Sequence, residues 1–172
     1  MYTKAKKPIA AGTKEMTVQA LGLRPALAKN LPALAHPPGP RILTPHPGEF
    51  ARLIGQAKVE HHEREALAQD FAKRTGAVVV LKGHHTVITD GAQIALNLTG
   101  NPGMATGGTG DVLSGIITAL VCQRLSPYDA ARLGVYVHAA AGDLAASELG
   151  QIGMIASDLL RYLPKVWKKV GG

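Results

Sequence analysis

A glycine-rich run, Asn101-Pro-Gly-Met-Ala-Thr-Gly-Gly-Thr-Gly-Asp111, is followed at once by an apolar segment, residues 112–122. A glycine-rich loop that opens a helix directs backbone N–H groups outward, and the helix dipole adds partial positive charge there. The pattern therefore predicts a site for a phosphate or a developing oxyanion. Because binding a phosphate does not require a carboxylate, Asp111 is a candidate general base for a hydroxyl that attacks a phosphoryl group. The alternative is an ordinary loop in which Asp111 caps the helix.

A second polar segment, Lys82-Gly-His-His-Thr86, follows the β-branched run Ala77-Val-Val-Val-Leu81. Ligands of open α/β sheets bind at the carboxyl ends of parallel strands. Lys82 could meet a phosphate there, Gly83 would let the backbone approach a nucleotide, and Thr86 could donate a hydroxyl. For Lys82, a solvated strand end is an equally good interpretation.

A third segment, Thr44-Pro-His-Pro-Gly-Glu49, also follows a predicted strand, and its two prolines stiffen the loop. His46 could bind a substrate amide or stack on a ring, although a lone histidine more often has a structural role. The remaining histidines lack metal-ligand spacing, so we predict no metal site in the protein. Of these, His61, His62, His84 and His85 are expected at the surface, and His138 is expected to be structural.

The elements around these segments predict an α/β fold. Strands are expected at about 41–43, 77–81, 86–89 and 93–97, with Asp90-Gly91 forming a hairpin between the last two. Helices are expected at 50–54, 62–74, 112–122, 127–149 and 156–163, with a basic tail from 165. The segment 18–34 could be helical, although Pro25 and Pro32 interrupt it.

Composition limits the function classes. The 172 residues suit one domain, and 46% hydrophobic content suits a sizeable core. The net charge of +7 is concentrated near the ends, without the aromatic interleaving of a nucleic-acid surface, so no nucleic acid is expected as a partner. Cys122, the single cysteine, lies in an apolar helix and is interpreted as a packing residue. No signal peptide or membrane span is predicted, so we expect a soluble, cytoplasmic protein without a membrane partner.

The chain resembles the NAD(P)H-hydrate dehydratase family, the nicotinamide-nucleotide repair enzymes of the ribokinase-like fold. The resemblance rests on Leu43-Thr-Pro-His-Pro-Gly-Glu-Phe50, on Val80-Leu-Lys-Gly83 with Thr86–Gly91, and on Asn101–Gly115. His138-Ala-Ala-Ala-Gly-Asp143 and Gly153-Met-Ile-Ala-Ser-Asp158 extend it, so that it covers residues 41–164.

The resemblance implies a reaction and its residues. A hydroxyl at C6 of a hydrated nicotinamide ring is phosphorylated with ADP or ATP, phosphate leaves, and NADH or NADPH is restored. Asp111 would be the base on that hydroxyl and would contact the substrate, and magnesium would accompany the nucleotide. The nucleotide would lie on one set of residues, and the hydrated dinucleotide would face a second set. These are Lys82, Gly83, His84, His85, Thr86, Gly107, Gly108, Thr109 and Gly110 for the nucleotide, and His46, Pro47, Gly48 and Glu49 for the dinucleotide.

The resemblance also implies a three-layer α/β/α fold that lacks part of its N-terminal sheet, because residues 1–40 are too few for the strands expected before the Thr-Pro-His-Pro loop. About four strands are predicted here. We therefore divide the chain into an N-terminal segment (1–40), a nucleotide-binding and catalytic portion (41–164) and a basic tail (165–172). A sheet that lacks its N-terminal neighbours has an uncovered edge or face, so a homo-oligomer is expected. Two other functions remain open: a ribokinase-like kinase for a vitamin precursor or sugar, and a catalytically silent nucleotide-binding or oligomerisation module.

Overall fold

The computed structural model describes residues 17–19, 39 and 41–171, and a mixed sheet lies at its centre. Its strands are β1 (Thr17–Gln19), β2 (Arg41–Leu43), β3 (Val78–Leu81), β4 (Thr86–Thr89) and β5 (Ile94–Asn97), which lie side by side in chain order. β1, β2 and β3 are parallel, whereas β4 and β5 are antiparallel to their neighbours. The described sheet thus has one strand more than the four predicted, because the three residues of β1 form no distinctive strand pattern in the sequence.

Helices cover both faces of this sheet. On one face lie α1 (Pro47–Ile54) and α2 (Arg64–Thr75), the latter preceded by a 3-10 turn at His61–Glu63. On the other face lie α3 (Thr109–Cys122) and α4 (Pro127–Leu149), and α5 (Ala156–Gly171) packs outside against α4. The predicted three-layer α/β/α architecture is therefore confirmed.

Alternation of side chains along the strands builds the two cores. Leu43, Val79, Leu81 and Val87 face α1 and α2, where Phe50 and Phe71 meet edge to face. The intervening residues face α3 and α4 instead; these are Ile42, Val78, Val80 and Ile88. Because β3 is buried on both faces, its sequence is a continuous apolar run.

The predicted hairpin turn is present between β4 and β5. Asp90 Oδ1 accepts hydrogen bonds from the amides of Ala92 and Gln93, at 2.9 and 2.7 Å. Gly91 adopts a φ of +94°, and a Cβ there would lie 2.8 Å from the Lys73 backbone nitrogen. Glycine therefore lets the turn pack closely against α2.

Three sequence-based expectations differ from the structure. Val18 and Gln19 belong to β1 rather than to a helix, and residues 20–34 of that predicted helix lie outside the described residues. The last helix continues through the basic segment to Gly171, because Tyr162 and Val166 extend its buried face past Pro164. Cys122 is exposed and does not pack in the core.

None of the helices within 41–171 combines the length and apolar character that crossing a membrane requires.

Candidate functional site

The carboxyl ends of β2 and β3 open into a cavity of about 740 Å³. The two strands are parallel neighbours, so the loops that follow them emerge at the same edge of the sheet. The amide of Lys82, after β3, donates a 2.8 Å hydrogen bond to the carbonyl of Pro45, after β2, and joins the two loops. Most of the residues predicted from sequence to form a site line this cavity: His46, Pro47, Lys82, Gly83, His84, His85, Thr86, Gly108, Thr109, Gly110 and Asp111.

His46 is the N-cap of α1. Its Nδ1 accepts hydrogen bonds from the amides of Gly48 and Glu49, at 3.1 and 3.2 Å, and Glu49 Oε2 accepts one from the His46 amide at 2.7 Å. A Cβ on Gly48 would lie 3.2 Å from the imidazole ring, so glycine leaves room for that ring. Since Nδ1 accepts, the exchangeable proton of a neutral His46 is on Nε2. The cap thus fixes the orientation of an exposed ring at the mouth of the cavity.

Lys82 extends from the end of β3 towards the start of α3. A Cβ on Gly110 would lie 3.2 Å from Lys82 Nζ, so the absence of a side chain at Gly110 admits the ammonium group. No hydrogen bond or ion pair occupies Nζ within the described part of the chain. A half-buried cation in a cavity wall is therefore available for an anionic ligand.

The glycine-rich loop delivers the first turn of α3 into the same cavity. Gly108 is the N-cap, with a φ of +90° and no side-chain capping bond, and its carbonyl accepts from the amides of Asp111 and Val112. The preceding amides of Thr109 and Gly110 have no acceptor within the helix. Asp111 is exposed in this turn and makes no capping hydrogen bond, so the interpretation of Asp111 as a helix cap is wrong. The arrangement places positive helix-end charge, an unpaired ammonium and an unpaired carboxylate around one cavity.

Another wall of the cavity is the loop of residues 98–106, which includes the first six residues of the glycine-rich run; the sequence did not assign those residues to a ligand. Asp143, on α4, fastens this loop: its carboxylate accepts from the Gly100 amide and from Asn101 Nδ2, both at 2.9 Å. Asn101 in turn caps the 3-10 turn Pro102–Met104 through a bond from the Gly103 amide. Asn101 and Asp143 both lie in stretches that carry the family resemblance, but no local pattern in the sequence pairs them.

His138 is buried on α4 beneath the glycine-rich loop, and it lines the cavity floor. Its Nε2 lies 2.9 Å from the carbonyl oxygen of Thr109, which can only accept, so Nε2 carries the proton. Burial lowers the pKa of His138 to about 4; the Thr109 carbonyl opposes this, and the charge of Lys82 adds to it. The predicted structural role of His138 therefore consists of holding the first turn of α3.

Three of the residues predicted for the site do not line the cavity: Gly48, Glu49 and Gly107. Gly48 and Glu49 shape the His46 cap. Gly107 has open space around its α-carbon, so no close contact demands glycine there.

The residues around the cavity fit magnesium that arrives with a nucleotide. Within the described residues, no group of three histidine, cysteine or carboxylate side chains could hold a metal ion. Magnesium usually keeps several waters and is held largely through the phosphates of its nucleotide, so a lining that offers no further set of metal ligands is compatible with it.

Comparison with known proteins gives a consistent result. A family model described as NAD(P)H-hydrate dehydratase matches residues 6–165. The bifunctional NAD(P)H-hydrate repair enzyme of Moorella thermoacetica is 51% identical over 149 residues, which cover 84% of this chain and 28% of that enzyme.

Solved structures agree with the fold. The ADP/ATP-dependent NAD(P)H-hydrate dehydratase of Bacillus subtilis, co-crystallised with ATP and Mg²⁺, is 40% identical with a TM-score of 0.73, covering 78% of this chain and 49% of that one. A ribokinase-like superfamily protein of Enterococcus faecalis is 31% identical with a TM-score of 0.66, covering 84% and 50%. The predicted ribokinase-like fold is therefore confirmed. The chain spans between about a quarter and a half of the length of these relatives.

The buried imidazole of His138 predicts a loss of stability in acid. The pKa of His138 is lowered to about 4 from the model-peptide value of 6.5, so between these values the unfolded chain binds the extra proton. Neutral His138 therefore contributes its full share to the free energy of unfolding above pH 6.5. As the pH falls from 6.5 towards 4, the free energy of unfolding decreases by about 3 kcal/mol. Urea unfolding at several pH values should show a shallower acid slope for His138→Gln than for the wild type. His62→Gln, at an exposed histidine, should keep the wild-type slope; equal slopes for wild type and His138→Gln would contradict the assignment.

Proposed function

This chain belongs to the NAD(P)H-hydrate dehydratase family, and we propose that it takes part in the ADP- or ATP-dependent dehydration of hydrated NAD(P)H. The observation that carries the proposal is the shared cavity of Asp111, Lys82 and the open first turn of α3. A base, a cation and free backbone amides around one space are what transfer of a phosphoryl group to a hydroxyl requires.

Asp111 acts as the base in this proposal. Its carboxylate takes the proton from the C6 hydroxyl of the hydrated ring as the oxygen bonds to the terminal phosphoryl group. The phosphoanhydride bond breaks, and AMP leaves from ADP, or ADP leaves from ATP. Asp111 is suited to this role because it is exposed to the cavity and no hydrogen bond or ion pair among the described residues occupies it. The nucleotide and its magnesium supply the phosphoryl group and charge neutralisation.

Lys82 and the start of α3 stabilise the transferring group. The ammonium of Lys82 reaches the space beside Gly110, and the amides of Gly108, Thr109 and Gly110 lie at the positive end of the helix. Negative charge that develops on the phosphoryl oxygens is therefore met from two sides. The C6–O bond of the phosphorylated hydrate then breaks with release of phosphate, assisted by the ring nitrogen lone pair, and loss of a C5 proton restores the double bond.

The two ligands occupy different walls of the cavity. We assign the nucleotide to the segment from Lys82 to Thr86, with Gly83, His84 and His85 between them, and to the glycine-rich loop that includes Gly107. We assign the hydrated dinucleotide to the His46 loop, where Pro47 lines the cavity and Gly48 and Glu49 hold the ring in place.

Nucleotide binding is the first test. Isothermal titration with ADP–Mg or ATP–Mg should give a binding heat with the wild-type chain. Lys82→Met should weaken binding by about 10- to 100-fold, because hydrogen bonds to charged groups contribute roughly 1.5–3 kcal/mol. Lys58→Met removes an exposed lysine that pairs with Glu60 outside the cavity, so it should bind as the wild type does. The absence of binding heat for the wild type with both nucleotides would overturn the nucleotide site.

Turnover tests the role of Asp111. With chemically hydrated NADH and ADP or ATP, Asp111→Asn should lower the rate by roughly 10²–10⁴, the range typical of general acid–base groups. Nucleotide affinity should hold or improve, because a carboxylate near phosphates repels them. Asp129→Asn removes an exposed carboxylate from the first turn of α4, outside the cavity, and should leave the rate unchanged. Full activity of Asp111→Asn would remove the base assignment, and accumulation of a stable phosphorylated product would indicate a kinase instead.

We further propose that the chain self-associates through the edge strand β5. Ile94, Leu96 and Leu98 leave 40%, 43% and 70% of their surfaces exposed on this strand and just beyond it. Apolar side chains beside unpaired backbone groups favour strand pairing with a second copy. Sedimentation velocity should show a dimer or larger species that Leu96→Lys dissociates, whereas Val170→Lys on α5 leaves it intact. A monomeric wild type at high concentration would contradict this.

A further inference from the structure

Arg64, at the first position of α2, is a buried cation that contacts no carboxylate among the described residues. It is 5% exposed, and none of the ion pairs formed within 41–171 includes it. Burial lowers the pKa of its guanidinium, and the nearby charge of Glu65 acts in the opposite direction. Burying a cation without a counter-ion is costly, so its contacts need an explanation.

The guanidinium contacts only backbone carbonyl groups, and all of them belong to the end of β3 and the loop after it. Nη1 donates to the carbonyl of His84 at 2.6 Å, and Nη2 donates to the carbonyls of Leu81 and Lys82, both at 3.0 Å. The Nε atom is buried and has no partner. The loop is therefore wrapped around one planar group with three carbonyls turned inward.

The backbone of the loop has adapted to this contact. Gly83 has a φ of +137°, and a Cβ there would lie 3.1 Å from Arg64 Nη2. His85 adopts a positive φ of 53°, which is uncommon for a residue with a side chain. Thr86 Oγ1 adds a bond to the Gly83 carbonyl at 3.1 Å. The guanidinium therefore lies on the inner side of the turn, where the backbone curves around it.

Because peptide bonds are planar, the direction of these carbonyls also fixes the direction of the amides that follow them in the chain. In a trans peptide the C=O of one residue and the N–H of the next point in opposite directions, and the described residues contain no cis bond. With the carbonyls of Lys82 and His84 directed at Arg64, the amides of Gly83 and His85 point away from it. The same geometry at Leu81 directs the Lys82 amide to the carbonyl of Pro45, which accepts it at 2.8 Å.

We propose that Arg64 is a positioning residue that presents the amides of Gly83 and His85 to the nucleotide. Both residues line the cavity, and neither amide has an acceptor within the described part of the chain. Arg64 does not line the cavity, so it acts through the loop and not by contact with the ligand. The inference rests on the proposed nucleotide site.

The test compares Arg64→Lys with Arg74→Lys. Arg64→Lys keeps the charge and loses the planar fork that reaches three carbonyls. Arg74 lies on the same helix, where it is exposed and paired with Asp70. We expect Arg64→Lys to weaken ADP–Mg binding about tenfold or more by isothermal titration, and to shift the Gly83 and His85 amide resonances of the free protein. Arg74→Lys should change neither.

A merely structural role predicts a different pattern. In that case Arg64→Lys would lower the melting temperature while the folded protein kept the wild-type ADP affinity, and this result would overturn the proposal. A wild type that fails to bind ADP–Mg would instead overturn the proposed function, while the amide resonances of Arg64→Lys still decide whether Arg64 shapes the loop.

A measurement on the wild type tests the proposal even if Arg64→Lys does not fold. Amide hydrogen exchange with and without ADP–Mg should show new protection at Gly83 and His85. The Lys82 amide, already bonded to Pro45, should change little. Bound ADP that leaves both amides unprotected would overturn the proposal.

Discussion

The hydrogen bond between the Lys82 amide and the Pro45 carbonyl joins two loops that are far apart in sequence. It forms because β2 and β3 are parallel neighbours, paired at Ile42–Val78 and Leu43–Val79, so both strands end at one edge. The buried strands fix this register, since a slip of one residue would turn their apolar side chains to the wrong faces. The position of Lys82 relative to the His46 loop follows from that pairing.

The polar side chains near the cavity divide into two groups. Arg64, His138 and Asp143 form hydrogen bonds to the segments that border the cavity, mainly to their backbone groups, whereas Asp111 and Lys82 have no such bonds. This division has a physical reason. Loops built from glycine and proline leave backbone groups without strand or helix partners, and those groups need side-chain donors and acceptors when they are buried. Asp111 and Lys82 are therefore free to contact a ligand, while the hydrogen bonds of the other three side chains hold the surrounding loops without a ligand.

Much of the fold could be predicted from sequence because its signals are local. The run 77–81, the Asp90-Gly91 turn and the bounds of the helix at 127–149 rest on neighbouring residues and agree with the structure. β1 has three residues and no distinctive pattern, so only its pairing with β2 reveals it. The last helix was predicted too short because Pro164 and the lysines that follow it indicate an end, although the buried spacing of Leu159, Tyr162 and Val166 continues. The Arg64 contact joins residues about twenty positions apart, and no local pattern indicates it.

The buried guanidinium of Arg64 also has a long-range effect. Its charge is met by carbonyl dipoles and not by a contacting carboxylate of the described residues, and the Lys82 ammonium nearby is unpaired as well. Together with the positive end of α3, these cations give the cavity mouth a positive potential, which the Asp111 carboxylate partly offsets. A polyanion approaching from a distance is drawn towards that mouth, which raises the rate of encounter. Salt shortens the reach of this attraction to about 10 Å at 0.1 M, so the rate at which such a ligand arrives depends on ionic strength before any contact is made.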